Sequence, residues 1–129
     1  MLKTLYFEDD SYKFWEVSTV LERVGIQADR ATCLQEGLQK WEDAATAGEP
    51  YALVITDMQF PLTSGGLVCD TAGDAVISRL REQNDPVPVI VCSSAPYQVS
   101  EAYGCIWYSE RQRWQDELLR LAEHVKRLK

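Results

Sequence analysis

The sequence lacks paired cysteines. Its four cysteines are widely separated and form no Cys-x-x-Cys pair, so the spacing of a zinc site or a disulfide framework is absent. Cys92 and Cys105 lie in apolar stretches, which is typical of small buried hydrophobic residues in a reducing compartment. A chain of 129 residues is also long enough to bury a large core, so we expect it to fold without such links.

Basic residues and long apolar runs are scarce as well. The chain has 13 Lys and Arg residues against 20 Asp and Glu residues, for a net charge of −7, which argues against a nucleic-acid-binding surface. The first apolar run, Leu2–Phe7, is followed by three acids, so neither a signal peptide nor a membrane span is predicted. We expect a cytoplasmic protein with no nucleic-acid or membrane partner.

No internal repeat or low-complexity tract is present, and strand-like and helix-like segments alternate instead. Runs rich in strand-forming residues predict the strands Leu2–Phe7, Tyr51–Thr56, Val87–Cys92 and Cys105–Tyr108. A further strand is predicted over Ile26–Ala31, where Asp29 and Arg30 interrupt the apolar pattern. Helical spacing predicts helices over Ser11–Val24, after Thr32, after Thr71 and from Trp114 to Leu128. This order predicts one α/β domain over residues 1–129, with a flavodoxin-like five-stranded parallel sheet in the order 2-1-3-4-5 and helices on both faces.

Local signals predict where the helices begin and end. Gly25 is expected to end the first helix as a glycine with positive φ. The predicted capping pairs are Thr32 with Gln35, Thr71 with Asp74, and Ser109 with Gln112, while Pro61–Gly66 is predicted as a loop.

Acidic residues follow two strands that would be neighbours in this sheet. Glu8, Asp9 and Asp10 follow the first strand, and Asp57 follows the third. Carboxylates that meet at one sheet edge repel each other, and a hard divalent cation such as Mg²⁺ relieves that repulsion. Two simpler interpretations stay open: the first three acids cap a helix, and Asp57 is a turn residue before Pro61.

A carboxylate beside such an ion is a plausible nucleophile towards a phosphoryl donor. A hydroxyl at the end of the fourth strand, from Ser93 or Ser94, would be able to hydrogen-bond a transferred phosphate.

Several of these features occur together along the chain: Glu8-Asp9-Asp10, Asp57 with Pro61 four residues on, Gly65, and the strand Pro88–Ser93 ending in a hydroxyl. This combination resembles the receiver domain of bacterial two-component response regulators. The resemblance implies that Asp57 accepts a phosphoryl group from a histidine kinase or phosphotransfer protein. It also implies that Glu8 and Asp9 bind Mg²⁺ together with Asp57 and the backbone carbonyl of Gln59, and that Ser93 is the switch hydroxyl.

The sequence departs from the receiver pattern at the end of the fifth strand. Receiver domains usually have a lysine there, whereas this chain has Tyr108 and Ser109. Arg111 and Arg113 are the candidate substitutes for that lysine, although the two cations are not interchangeable. Tyr108 is also a candidate switch residue, with packing against the sheet as the simpler interpretation.

Two further departures concern the surface that receiver domains use for output. Only nine residues separate Ser94 from Gly104, so the fourth helix of the family is predicted to be short or absent. An insertion is predicted around Leu67–Gly73.

The leading hypothesis is a stand-alone receiver that is phosphorylated on Asp57 with Mg²⁺ and signals by docking to another protein. Its only chemistry would be self-catalysed phosphoryl transfer and autodephosphorylation. The alternative is a phosphorylation-independent pseudo-receiver that acts as a protein-interaction module. A hydrolase with an aspartyl nucleophile is disfavoured, because such enzymes carry Asp-x-Asp where this chain has Asp10-Ser11-Tyr12.

Overall fold

A computed structural model describes residues 2–129. Its strands are β1 (Leu2–Phe7), β2 (Ile26–Ala31), β3 (Leu53–Thr56), β4 (Phe60–Pro61), β5 (Val68–Cys69), β6 (Val89–Ser93) and β7 (Gly104–Trp107). Its helices are α1 (Ser11–Glu22), α2 (Leu34–Thr46), α3 (Ala72–Glu82) and α4 (Trp114–Arg127). No helix within this part of the chain is both long and apolar enough to cross a membrane.

The main sheet has five parallel strands in the order β2-β1-β3-β6-β7. Without the small antiparallel pair β4 and β5, this is the predicted order 2-1-3-4-5, and the predicted flavodoxin-like fold is confirmed. Right-handed crossovers place helices on both faces of such a sheet.

Alternate residues of β1 belong to two separate cores, one on each face of the sheet. Leu5 and Phe7 pack in the core beneath α2 and α3, while Tyr6 packs with α1 and α4. All three are at most 1% exposed, which explains why the sequence of β1 is apolar at successive positions instead of alternating.

The start of α2 lies one residue later than the predicted capping pair implies. The cap is Cys33, whose Sγ accepts a hydrogen bond from the Glu36 amide. The Glu36 carboxylate reaches back to the Thr32 amide at 2.6 Å and to the Thr32 hydroxyl at 2.9 Å. Glu36 therefore makes the reciprocal contact that was predicted for Gln35, because its carboxylate is the better acceptor for the Thr32 amide.

The predicted capping pair of Ser109 with Gln112 is wrong. The Gln112 amide donates to the Ser109 carbonyl in a turn, and α4 begins only at Trp114 after an Arg113 cap that makes no side-chain hydrogen bond. Thr71 does precede α3, but its side chain makes no capping bond.

The remaining differences lie at strand ends and in the insertion. β3 begins at Leu53, two residues later than predicted, and Tyr51 stacks on Trp41 with ring centroids 6.2 Å apart. Within the predicted insertion lies β5, which pairs with β4 ahead of it in an antiparallel hairpin that the sequence did not predict. Between β6 and β7 the chain contains no helix, in agreement with the predicted short or absent fourth helix.

Candidate functional site

Three carboxylates meet at the edge where β1 and β3 end. The Asp57 amide donates to the Phe7 carbonyl at 3.1 Å, so the residues that follow the two strands stay side by side. One carboxylate oxygen from each of Glu8, Asp9 and Asp57 lies within 4.8 Å of the other two. The structure thus brings together the acids that the sequence placed at neighbouring strand ends.

Helix capping accounts for only one of the three consecutive acids. Asp10 is the N-cap of α1, and its Oδ1 accepts hydrogen bonds from the Tyr12 amide at 2.9 Å and the Lys13 amide at 3.1 Å. Glu8 and Asp9 belong to the acidic cluster instead.

A lysine that the sequence analysis did not select completes this cluster. The Nζ atom of Lys13 lies 2.9 Å from Glu8 Oε1 and 3.1 Å from Asp57 Oδ2, and it donates to the Cys92 carbonyl at 2.8 Å. The Lys13 side chain is only 4% exposed. An ammonium has three N–H donors, and here each of them has an acceptor.

Lys13 reaches the site because it lies on the buried stripe of α1. The buried residues of that helix are Lys13, Val17, Val20 and Leu21, so Lys13 continues the apolar spacing by one turn towards the N-terminus. A cation in the first turn opposes the helix dipole, a local conflict of the kind that marks functional sites. This buried-face position was the signal that could have identified Lys13 from sequence.

Glu8 is the most enclosed acid of the cluster, at 1% exposure. It accepts hydrogen bonds from the Tyr6 hydroxyl at 3.0 Å and from the Asp10 amide at 3.3 Å. Burial raises the pKa of Glu8 above its ordinary value, and nearby Lys13 opposes that shift. Burial by itself would lower the pKa of Lys13, but the charges around it, above all that of Glu8, raise it instead.

Asp9 and Asp57 form the solvent-facing side of the cluster. Asp9 is exposed, and the Asp57 side chain is 16% exposed. The guanidinium of Arg30, on β2, donates to the backbone carbonyls of Glu8 at 2.9 Å and Asp9 at 2.6 Å. These hydrogen bonds connect the backbone of the cluster to β2.

This donor set fits a hard divalent cation. Its ligand atoms are all oxygens, which is the set Mg²⁺ prefers, and the solvent-facing side leaves room for retained water. Three carboxylates and one ammonium sum to a charge of −2, which a dication would balance.

The predicted switch residues lie on the neighbouring strands. Ser93 ends β6, is 5% exposed, and accepts a hydrogen bond from the Ala95 amide at 3.3 Å. Tyr108 follows β7, where its hydroxyl donates to the Glu16 carboxylate and its ring lies 4.9 Å from that of Trp114. Gln59 is exposed two residues after Asp57.

The structure does not bring Arg111 or Arg113 to the cluster. Because α4 begins only at Trp114, both lie in the exposed turn ahead of it, and Arg113 pairs with Asp116 at 3.1 Å. Among residues 2–129, Asp57 forms an ion pair with Lys13 alone. The cation at this site therefore comes from α1, not from the segment after β7.

Comparisons with known proteins were informative at the level of structure only. No protein-family model matches the sequence, and no curated protein matches it significantly. Solved structures do match, among them the receiver domain of the Francisella response regulator 1452, at 20% identity and TM-score 0.73 over 100% of both chains.

Two further similar structures are chemotaxis response regulator CheY4 of Vibrio cholerae and response regulator TrrA of Thermotoga maritima. CheY4 is 19% identical with TM-score 0.73, over 97% of this chain and 98% of its own. TrrA, solved in complex with Mg²⁺ and BeF, is 20% identical with TM-score 0.68, over 94% of this chain and 99% of its own. This chain therefore has the fold of response regulator receiver domains.

Proposed function

We propose that this protein is a phosphoacceptor receiver in which Asp57 accepts a phosphoryl group. The observation that carries the proposal is the convergence of Glu8, Asp9 and Asp57 within 4.8 Å at one end of a receiver-type sheet. Asp57 is better placed than Glu8 to be the acceptor, because its carboxylate is partly exposed while Glu8 is buried.

The reaction is a phosphoryl transfer from a histidine kinase, a phosphotransfer protein or a small acyl phosphate. A carboxylate oxygen of Asp57 forms the new bond to phosphorus, and the donor's phosphorus–nitrogen or phosphorus–oxygen bond breaks with its electron pair leaving on the donor. A carboxylate oxygen is the attacking atom, so the step uses no general base to activate the nucleophile.

Glu8, Asp9, Asp57 and the Gln59 carbonyl are the residues that would hold Mg²⁺. A divalent ion there would screen the negative charge that gathers between the acceptor and the phosphoryl group. Asp9 and Asp57 face solvent, so a phosphoryl donor can approach without displacing the buried Glu8.

The proposed output is docking to a downstream protein in the cytoplasm. Ser93 stands at the end of the strand next to β3, where a hydroxyl is able to hydrogen-bond a phosphoryl group on Asp57. Tyr108 connects that region to α1 through its hydrogen bond to Glu16. The family's output surface is altered here, because no helix lies between β6 and β7 in the described chain.

Intact-mass measurement after incubation with acetyl phosphate and Mg²⁺ tests the function. We expect wild-type protein to gain the mass of one phosphate and Asp57→Asn to gain none. Asp70→Asn removes an exposed acid outside the cluster and serves as the matched control, which should react like wild type.

A phosphorylation-independent interaction module is the second candidate. It is favoured by the Lys13–Asp57 ion pair, which neutralises the acceptor without metal or phosphate. A folded wild-type protein that shows no mass gain with acetyl phosphate, and none with a phosphorylated histidine donor, would establish this alternative.

A further inference from the structure

We propose that Lys13 is the cation that pairs with the phosphoryl group on Asp57, so that this part of the site is built from helix α1. The proposal rests on the function proposed for Asp57. The observation behind it is that the Lys13 ammonium contacts the acceptor carboxylate itself, 3.1 Å from Asp57 Oδ2.

The position of the ammonium is fixed by two contacts that do not involve the acceptor. One is the Cys92 carbonyl at 2.8 Å, from the backbone of β6. The other is Glu8 Oε1 at 2.9 Å, from the end of β1. Lys13 therefore has one donor left for Asp57, and that donor is free to follow a group added there.

The two oxygens of Asp57 have different neighbours. Oδ1 accepts a hydrogen bond from the Met58 amide at 2.6 Å, while Oδ2 faces Lys13. A phosphoryl group on this carboxylate adds charged oxygens beside a fixed, buried ammonium. Charge-assisted hydrogen bonds in such a poorly solvated place are stronger than those at the surface.

Position 108 offers a second place from which a lysine side chain could reach Asp57. The Lys13 Nζ lies 5.4 Å from the centroid of the Tyr108 ring, so the side chain at position 108 extends towards the ammonium. A lysine introduced at 108 would approach Asp57 from β7 instead of α1. A Tyr108→Lys substitution therefore distinguishes a role of Lys13 as a cation from a role in packing.

The experiment compares four proteins: wild type, Lys13→Met, the double variant Lys13→Met/Tyr108→Lys, and Lys126→Met as the matched control. Lys126 is an exposed lysine near the end of α4, and its ammonium lies 4.0 Å from Glu123 Oε1. Circular dichroism first confirms that each is folded. Two quantities are then measured: the rate of phosphorylation by acetyl phosphate with Mg²⁺, and the Mg²⁺ affinity from tryptophan fluorescence.

We expect Lys13→Met to slow phosphorylation at least tenfold while Mg²⁺ affinity stays equal or increases, because a positive charge has left the cluster. The double variant should recover at least a third of the wild-type rate, and Lys126→Met should match wild type. A purely structural role would weaken Mg²⁺ binding and phosphorylation together, without rescue from position 108.

The outcomes also separate this inference from the function beneath it. If wild type is phosphorylated and Lys13→Met reacts at the same rate, the role of Lys13 is refuted and the function stands. If Lys13→Met is slow but the lysine at position 108 restores nothing, the phosphoryl-pairing role is likewise refuted. If wild type itself gains no phosphate, the function proposed for Asp57 fails first.

Discussion

The Lys13 ammonium pairs with two carboxylates, those of Glu8 and Asp57, in a place that water hardly reaches. Glu8 is 1% exposed and the Lys13 side chain 4% exposed, so removing the cation leaves a buried negative charge without its partner. Breaking a buried ion pair from one side is strongly destabilising, whereas replacing both partners is not.

We therefore expect Lys13→Met to lower the free energy of unfolding by about 3 kcal/mol in the absence of divalent ions. Urea unfolding at neutral pH measures this change. The double variant Lys13→Met/Glu8→Gln should recover part of the loss, because it removes the unpaired buried charge. An unchanged unfolding midpoint in Lys13→Met would contradict the ion-pair geometry.

Some residues of the candidate site could be predicted from the sequence, and one could not. Glu8, Asp9 and Asp57 are predictable as site residues because they follow strands that the sequence indicates. The carboxyl ends of parallel strands lie at one edge of the sheet. Lys13 was missed because the search for a cation followed position along the fifth strand. Only the packed structure shows that a helix residue 79 positions from Cys92 reaches the Cys92 carbonyl.

The beginning of α2 depends on a contact that varies with pH. A hydrogen bond from the Thr32 amide, together with one from its hydroxyl, lowers the pKa of Glu36 below its ordinary value. A carboxylate whose pKa is lower in the folded state stabilises that state above its unfolded pKa. This contribution to the free energy of unfolding is lost as the pH falls through the pKa of the carboxylate in the folded state.

Glu36→Gln should therefore be less stable than wild type at pH 7, by roughly 0.5–1 kcal/mol, the size of a helix-capping contribution. The difference should shrink as the pH falls below the ordinary range of a glutamate. Thermal unfolding of both proteins between pH 7 and pH 3 measures it. A difference that stays constant over this range would show that the ionised carboxylate is not responsible.

Helix α2 also depends on a close approach to the sheet at Gly37. A Cβ atom added there would lie 1.9 Å from Cε2 of Phe7. Phe7 cannot easily move aside, because it is 1% exposed and stacks on Phe60 with ring centroids 5.8 Å apart.

We expect Gly37→Ala to destabilise the fold by about 1–3 kcal/mol, the cost of overpacking a core. Gln39→Ala, at an exposed position of the same helix, should change stability by less than about 0.5 kcal/mol. Phe7→Leu in the Gly37→Ala background should restore part of the loss. Denaturant unfolding of the three variants decides the point, and equal stabilities for Gly37→Ala and wild type would contradict the packing.

At the level of elements, long apolar patterns were predictable and short polar ones were not. β1 has the predicted bounds, because its apolar residues limit where a buried strand can lie. β2 has the predicted bounds as well, although Asp29 and Arg30 interrupt its apolar pattern. Each strand of the β4–β5 hairpin has only two residues. A strand of that length is too short to produce a periodic pattern in the sequence. The missing helix before β7 was predictable because nine residues leave too little chain for it.

The molecule as a whole has a receiver-type sheet, a buried ammonium from α1 at the acidic edge of that sheet, and no helix between β6 and β7. The order of the strands followed from alternation and right-handed connections alone. The position of the Lys13 ammonium did not follow in this way, since it depends on how α1 lies across the end of the sheet. Phosphorylation would consequently be coupled most directly to α1, which contacts Tyr108 through Glu16.

Locating the phosphoryl group tests the central claim most directly. The protein is treated with acetyl phosphate and Mg²⁺, any aspartyl phosphate is reduced with borohydride to homoserine, and the peptides are mapped by mass spectrometry. We predict homoserine at position 57 in wild type, none in Asp57→Asn, and no other modified aspartate. Homoserine at a different position, or its absence from folded wild-type protein, would contradict the account.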